Sequence, residues 1–257
     1  MRIILDWRKS IQENADAYYS LAKELAKKQE GARAAIKETE AQMAQAQMKR
    51  QAAVLGKAAP AMRRKREWFE KFRWFYTSEG KLVLAGRDAK QNDILVSKMM
   101  EDGDLFFHAD IQGAPATILK GGIGATGQEK KEAAQFAASH SSAWKTGAAA
   151  VDVYAVQKGQ LSKHAQGGFV GAGSFAITGE REWFRGTPLG VAIGEKEGVV
   201  LCLPECHPDA KKMGFGIGLG FVEKGKAAKT IAYSLKANID EVVSALPSGK
   251  FSAKERR

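Results

Sequence analysis

From Ile11 to Ala46 the chain steps by four and three residues without slipping, through Ile11, Ala15, Tyr18, Ala22, Leu25, Gln29, Ala32, Ile36, Thr39, Met43 and Ala46. A stripe of that period stays on one side only if the backbone is helical, because strands repeat every second residue. The segment therefore predicts one long helix or a helical hairpin. Ser10-Ile11-Gln12-Glu13 is a capping box, with a hydroxyl for the orphan amides and a glutamate three residues on. The next steps land on Arg50, Ala53 and Lys57, so the seam fades, and Pro60 interrupts the helix; Gly31 is a place where it can bend. Many seam positions are small, so each contact buries little area, and a partner helix is needed for stability.

The rest of the chain has a different grain. Phe72–Tyr76 and Lys81–Ala85 read as strands joined by Thr77-Ser78-Glu79-Gly80. Asp88 caps a helix expected to run through Met99, Leu105–Ala109 is a short buried strand, and Pro115–Leu119 is another. Thr126-Gly127-Gln128-Glu129 is a second capping box, opening a helix to about Lys145 with Ala133, Phe136, Ala137 and Trp144 on its apolar side. Strands are expected at 151–156, 174–177, 189–193, 199–203 and 214–222, with a helix over 227–235. This order predicts an α+β fold: a mixed β-sheet domain with packed helices, preceded by a long N-terminal helical arm. The boundaries are 1–66 for a basic coiled-coil arm, 67–248 for the compact domain and 249–257 for a flexible tail. The glycine alternation in Gly214–Gly220 lacks the spacing of a dinucleotide fingerprint and reads as a strand where backbones approach closely.

The net charge of +11 is unevenly placed. Residues 1–66 hold 15 Lys and Arg against 7 Asp and Glu, leaving +8, and the remaining residues hold 25 against 22, leaving +3. Residues 41–66 carry seven basic side chains, including Arg63, Arg64, Lys65 and Arg66, and no acidic one. Such a run is either a solvated helix face or the footprint of a polyanion, and its lack of compensating charge favours nucleic acid. No apolar run reaches the roughly 18 residues of a membrane span, and the reading is a soluble, cytoplasmic protein that needs no membrane. Cys202 and Cys206 read as reduced thiols: a zinc site needs about four ligands, and no metal or cofactor is expected.

Several residues are candidates for chemistry. In His108-Ala109-Asp110, residues two apart on a strand face the same way, so an imidazole and a carboxylate could share a surface. That pairing suits a general base or a metal; the alternatives are local hydrogen bonding or contact with RNA. No nucleophile motif accompanies it. Arg73, Trp74 and Phe75 supply guanidinium and aromatics for stacking and phosphate contact. Alternation puts Arg73 and Phe75 on one face and Phe72, Trp74 and Tyr76 on the other; the second set is expected in the core. Arg87 beside Asp88 is an ion-paired turn or a phosphate-facing arginine. Lys98 and Lys120 read as surface lysines, Lys163 and His164 as candidates for ligand contact in a glycine-rich stretch, and Trp183-Phe184-Arg185 as an edge-strand packing unit or a stacking platform.

Taken together, Phe72–Gly80, Gly86-Arg87-Asp88, Asn92 and His108-Ala-Asp-Ile-Gln-Gly-Ala-Pro115 resemble the signature of the NFACT-R domain of the NFACT family. The likeness continues through Glu132–Trp144, Val151–Lys163 and Gly173-Ser174-Phe175, and upstream through Ser10–Tyr19 and Lys28–Arg33, which are similar to the coiled-coil region of archaeal members; it covers roughly residues 5–248. Gln112 stands where the family commonly has histidine. The amino-terminal NFACT-N domain and the helix-hairpin-helix module are not part of this sequence, which the resemblance implies is a truncated form, half of a split system or an excised piece, with an NFACT-N domain or chain as a possible partner. It further implies an RNA-binding module, acting by binding rather than catalysis, of a ribosome-associated quality-control factor that engages tRNA, ribosomal RNA and the large ribosomal subunit during rescue of stalled ribosomes. The expected RNA surface comprises Arg63, Arg64, Lys65, Arg66, Arg73, Arg87, Asn92, His108, Asp110 and Lys163. The alternatives are a metal-dependent hydrolase or nuclease built on His108 and Asp110, and a protein-binding adaptor acting through the arm.

Overall fold

A computed structural model of the chain describes residues 3–55, 66–165 and 168–256. The chain divides into two units, Met1–Lys65 and Arg66–Arg257. In the first, helix α1 (Ile11–Leu55) runs through Gly31 without a break; Pro60 lies outside the described residues. Its start is the expected box: the Glu13 amide donates to Ser10 Oγ at 3.2 Å, and the Ser10 amide donates to Glu13 Oε2 at 2.8 Å. The sequence did not announce what precedes it. Residues 3–9 fold back onto the first two turns, where Asn14 Nδ2 donates to the Asp6 and Ser10 carbonyls at 3.0 and 2.9 Å and Tyr18 Oη donates to the Ile4 carbonyl at 2.8 Å. The seam itself is uncovered, with Ile11 90% and Met43 66% exposed.

The second unit is built on a six-stranded antiparallel sheet. Its strands are β1 (Arg73–Tyr76), β2 (Leu82–Ala85), β3 (Leu105–Ala109), β4 (Thr117–Leu119), β5 (Ala150–Gln157) and β10 (Glu182–Pro188), in the order β1-β2-β4-β3-β5-β10. Between β2 and β3 lie α2 (Ala89–Ile94), capped by Asp88, and a π-helical turn over Leu95–Met99. After β4 come α3 (Gly127–Ser139) and α4 (Ala143–Thr146). Two small hairpins, β6 (Leu161–Ser162) with β9 (Ala176–Ile177) and β7 (His164–Ala165) with β8 (Gly168–Phe169), separate β5 from β10. A second antiparallel sheet follows, ordered β12-β11-β13-β14, from β11 (Val191–Lys196), β12 (Val199–Pro204), β13 (Phe215–Glu223) and β14 (Lys250–Glu255). Helices α5 (Lys224–Leu235) and α6 (Ile239–Ala245) join β13 to β14. The architecture is α+β, with a long N-terminal helix followed by antiparallel sheets and packed helices.

Both faces of the six-stranded sheet are covered. Phe75, Val83, Phe107 and Val153 pack with Ala133, Phe136 and Ala137 of α3, while Phe72, Leu84, Phe106, Ile118 and Tyr154 form a separate cluster on the other side. This corrects the assignment of β1 aromatics. Phe72 is fully buried, but Trp74 is only partly covered and Tyr76 is 45% exposed, while Phe75 of the opposite set is fully buried. Alternation sorts side chains by face, and a sheet buried on two faces has no solvent face for that rule to identify.

Two further expectations are corrected. The helix opened by Thr126 stops at Ser139, because Ser141 Oγ bonds back to the Ala138 carbonyl at 2.7 Å and Ser142 Oγ donates to the Gln112 carbonyl, offering the backbone an alternative to the helix. Residues 250–255 form β14 rather than a flexible tail. It pairs with β13, buries Phe251 completely, and its Lys250 carbonyl accepts from Trp144 Nε1 at 3.0 Å. Trp183 and Arg185 sit on an edge strand, β10, where the Arg185 guanidinium lies 3.8 Å over the Trp183 ring.

Candidate nucleic-acid interface

At one end of the six-stranded sheet, the turn after β2, the loop between β3 and β4, the end of α3 and the 172–175 loop surround a cleft of about 470 Å³. Arg73, Arg87, Asn92 and His108, four of the expected RNA residues, all line it.

The turn after β2 is set by Gly86 and Asn92. A Cβ on Gly86 would lie 2.0 Å from Asn92 Oδ1, so only glycine lets α2 close onto the strand end. The same Asn92 oxygen accepts from the Ala116 amide at 3.2 Å, tying α2 to the Gly113-Ala114-Pro115 loop. Asn92 therefore positions two walls of the cleft. Opposite, the 172–175 loop approaches α2 through Gly173, whose φ is 75° and whose added Cβ would meet Ala89 at 2.6 Å. Asp93 holds that loop by accepting from the Gly173 amide at 3.1 Å and from Lys163 Nζ. Lys163 also donates to the Ser174 carbonyl at 2.8 Å and sits 4.0 Å from the Phe175 ring centroid. It is not among the cleft-lining residues; it fastens the loop that is.

Arg87 does not pair with Asp88. Its Nε and Nη2 donate at 3.1 Å to the Lys71 and Phe72 carbonyls, and Nη1 donates at 2.9 Å to Ser244 O and Oγ. Asp88, its neighbour, accepts from the Gln91 amide to cap α2. The guanidinium is thus spent on clamping backbone, although its charge remains at the cleft. Arg73, on the α3 face of β1, donates Nη1 to the Gly86 carbonyl at 2.6 Å and leaves a buried Nε without a partner. Burial, with the like charge of Arg87 adding to it, pulls the Arg73 guanidinium down to about 10. Lys224, beside them, is pulled to about 8 by burial and then by Arg73 and Arg87.

His108 does not pair with Asp110. Its Nδ1 faces Tyr154 Oη at 3.3 Å, its ring stacks at 8° to Phe106, and burial holds its pKa below the ordinary histidine value. Asp110 lies beyond the last residue of β3 and is exposed, so strand alternation no longer governs where it points. The base-and-orienting-acid pair that a hydrolase would need is not assembled, and among the described residues no three His, Cys, Asp or Glu side chains could hold one metal ion. Arg63, Arg64 and Lys65 lie outside the described residues; Arg66 is exposed and pairs with Glu241 at 3.3 Å.

The sequence reading missed His140, Lys145, Tyr154 and Phe175 as cleft residues. His140 is fully within the protein, 6% exposed, with an unpartnered Nδ1. Only the run Gly173-Ser174-Phe175 carried a signal, since a glycine before an aromatic in a loop marks a close approach.

Residues 71–179 match the family described as the NFACT protein RNA binding domain, and that segment holds every cleft-lining residue except Ser248. The chain is 44% identical over 135 residues to the archaeal Rqc2 homolog aRqcH of Methanocaldococcus jannaschii, covering 52% of this chain and 20% of that one. It is 41% identical over 123 residues to the ribosome quality control complex subunit NEMF homolog of Drosophila melanogaster, covering 47% and 12%. Among solved structures it is similar to the C-terminal of the fibronectin/fibrinogen-binding protein from Streptococcus suis, at 24% identity and a TM-score of 0.40, over 55% of this chain and 56% of that one. The chain thus spans a fifth or less of the length of these two curated relatives. Residues 71–179 are thus similar to the RNA binding domain of NFACT proteins, and the similarity to ribosome quality control proteins runs over about half of the chain.

Proposed function

We propose that this chain is an RNA-binding module that works in ribosome quality control, contacting tRNA or ribosomal RNA on the large ribosomal subunit in the cytoplasm. The observation that carries the reading is the cleft at the sheet end: the domain matched to the family gathers Arg73, Arg87 and Lys145 around a pocket whose acidic lining residue, Asp88, is committed to a helix cap. RNA is recognised by such cationic, aromatic-lined surfaces, where guanidinium meets phosphate and rings meet bases. In this reading Arg73 and His108 face the RNA, Asn92, Arg87 and Lys163 hold the walls that receive it, Asp110 is an exposed contact outside the cleft lining, and the basic run Arg63, Arg64, Lys65 and Arg66 steers phosphate toward the domain. The curated relatives are named for ribosome quality control, and that role comes to this chain by its likeness to them.

The test is a salt titration of the chain against tRNA and against ribosomal RNA. With six or more phosphate contacts, affinity falls by roughly 10³-fold or more between about 50 and 200 mM salt. Neutralising Arg63, Arg64, Lys65 and Arg66 together lowers the log–log slope by about 3 to 4. RNA binding that ignores salt, or no binding at 50 mM, would remove the reading; an unchanged slope in the quadruple variant would remove the basic run from the interface.

A further inference from the structure

The two ends of the cleft differ in chemistry. Arg73 and Phe75 share the α3 face of the sheet, whereas His108 shares the opposite face with Phe106, so the cleft passes around the strand ends from one face to the other. On the α3 side it holds Arg73 and His140; on the other it holds His108, Tyr154 and Phe175. Arg73 is on β1 and His108 on β3, with β2 and β4 between them. Three strand spacings of about 4.8 Å separate the two backbones by about 14 Å. Side chains reaching inward from both ends leave a span that one nucleotide covers.

The cationic end carries two buried nitrogens with nothing to bond, Arg73 Nε and His140 Nδ1. Arg73 Nε is necessarily a donor. The other nitrogen of His140, Nε2, has Cys202 Sγ 3.9 Å away, a thiol that can donate or accept. With Nε2 accepting from that thiol, Nδ1 carries the hydrogen and is free to donate to a ligand. Arg73 Nε is a donor and His140 Nδ1 is one in the tautomer whose Nε2 accepts from Cys202, both lie among cations, and Asp88, the acidic residue of the described lining, is already bonded. Buried donors of this kind are satisfied by an acceptor, and here the surrounding charge selects an anionic one. The volume, about 470 Å³, is that of a small-molecule site and far exceeds a bare phosphate. The loop carrying Phe175 is fixed by Asp93 and Lys163, so the aromatic wall is in place before anything binds.

We propose that this cleft seats a single nucleoside phosphate, free or at the end of an RNA strand, with the phosphate on Arg73 and His140 and the base against His108, Tyr154 and Phe175. The inference rests on the RNA reading only for the second of these sources.

Calorimetric titration of the chain with AMP, adenosine and inorganic phosphate tests it. AMP is expected to bind at least about tenfold more tightly than either fragment, because only AMP engages both ends. His140→Phe, which keeps the ring and removes the donor, should weaken AMP about tenfold and leave adenosine unchanged. Should His140→Phe fail to melt cooperatively, Phe175→Ala serves instead, weakening AMP and adenosine together while leaving phosphate unchanged. A short RNA with a terminal phosphate is compared with its hydroxyl-ended twin, with and without competing AMP. A preference for the phosphorylated end, abolished by AMP, assigns the site to strand ends; AMP binding without that preference assigns it to free nucleotide. Equal binding of adenosine and AMP, or AMP affinity unmoved in the folded variant, overturns the proposal. RNA binding without AMP binding also overturns it and leaves the RNA reading standing, whereas AMP binding without RNA binding leaves the cleft and removes the RNA reading.

Discussion

The arm and the domain solve the problem of apolar surface in opposite ways. In residues 66–257, Phe72, Phe75, Phe106, Phe107, Phe136 and Phe251 are all essentially inaccessible, each enclosed by neighbours from the same unit. In α1, Ile11, Leu25, Ile36 and Met43 are each more than half exposed, and what order the unit adds beyond the helix is local, through Asn14 and Tyr18. A helix held only by backbone bonds and a cap lacks the tertiary packing that supplies most helical stability in proteins, while a packed core of buried rings has it. The difference predicts that a second helix along the seam would stabilise the arm, whereas the domain needs no such help.

The largest effect that would break this comparison is in the domain core. Phe107→Ala, at a fully buried position between β4 and β5, should cost about 3 to 5 kcal/mol in denaturant unfolding. A cost under about 1 kcal/mol would mean that the core collapses around the hole and is looser than described.

A smaller effect comes from charge. The Glu129 carboxylate is completely buried and accepts from Thr77 Oγ1 at 2.7 Å, Lys81 Nζ at 2.8 Å and the Thr126 amide at 2.9 Å. Burial pushes this carboxyl up, but Lys81, the Thr126 amide and Thr77 together hold it below the ordinary value. A carboxyl depressed on folding stabilises above its unfolded pKa, and that stabilisation is lost as pH falls through the folded pKa. Lys81→Met should therefore cost about 2 kcal/mol at neutral pH, with the penalty shrinking below about pH 4.5, as both proteins bind the proton. A penalty independent of pH across that range would show that the lysine acts through packing.

The smallest expected effect sharpens the comparison most. Ile11→Asp, Leu25→Asp and Ile36→Asp together should change domain stability by less than about 0.5 kcal/mol, while abolishing any concentration-dependent helicity of the arm seen by circular dichroism. A wild-type arm that stays fully helical and monomeric at high concentration would break the idea that its seam needs a partner.

Much of this was legible where one rule acted alone. The seam, both capping boxes and most strands follow from period and cap chemistry. The alternation of β1 was read correctly as geometry, with Arg73 beside Phe75, yet misread as burial, because a doubly covered sheet takes side chains of both sets inward. Helix α3 ended early because of serine side chains that bond to carbonyls, one of them thirty residues away in sequence. The cleft was half legible: Arg73, Arg87 and His108 were named from their side-chain chemistry and Asn92 from the family resemblance, but His140 joins them only through tertiary packing, at the end of a helix whose alanine-rich pattern says core. Strand β14 was hidden because Phe251, flanked by charge and serine, needs β13 before it has a side to bury.

That last strand sets a timetable. The six-stranded sheet has its full complement of strands once Pro188 has been made, whereas the second sheet waits for Lys250–Glu255. During synthesis at about 5 to 20 residues per second, the interval between these two points is about 3 to 13 s. In the later part of that interval, once Glu223 has been made, the nascent chain holds a finished first sheet together with β11 and β13, and the edge of β13 stays open until β14 arrives. A protein of this fold is thus itself, briefly, an incomplete chain on a ribosome, with one strand edge still waiting for its partner.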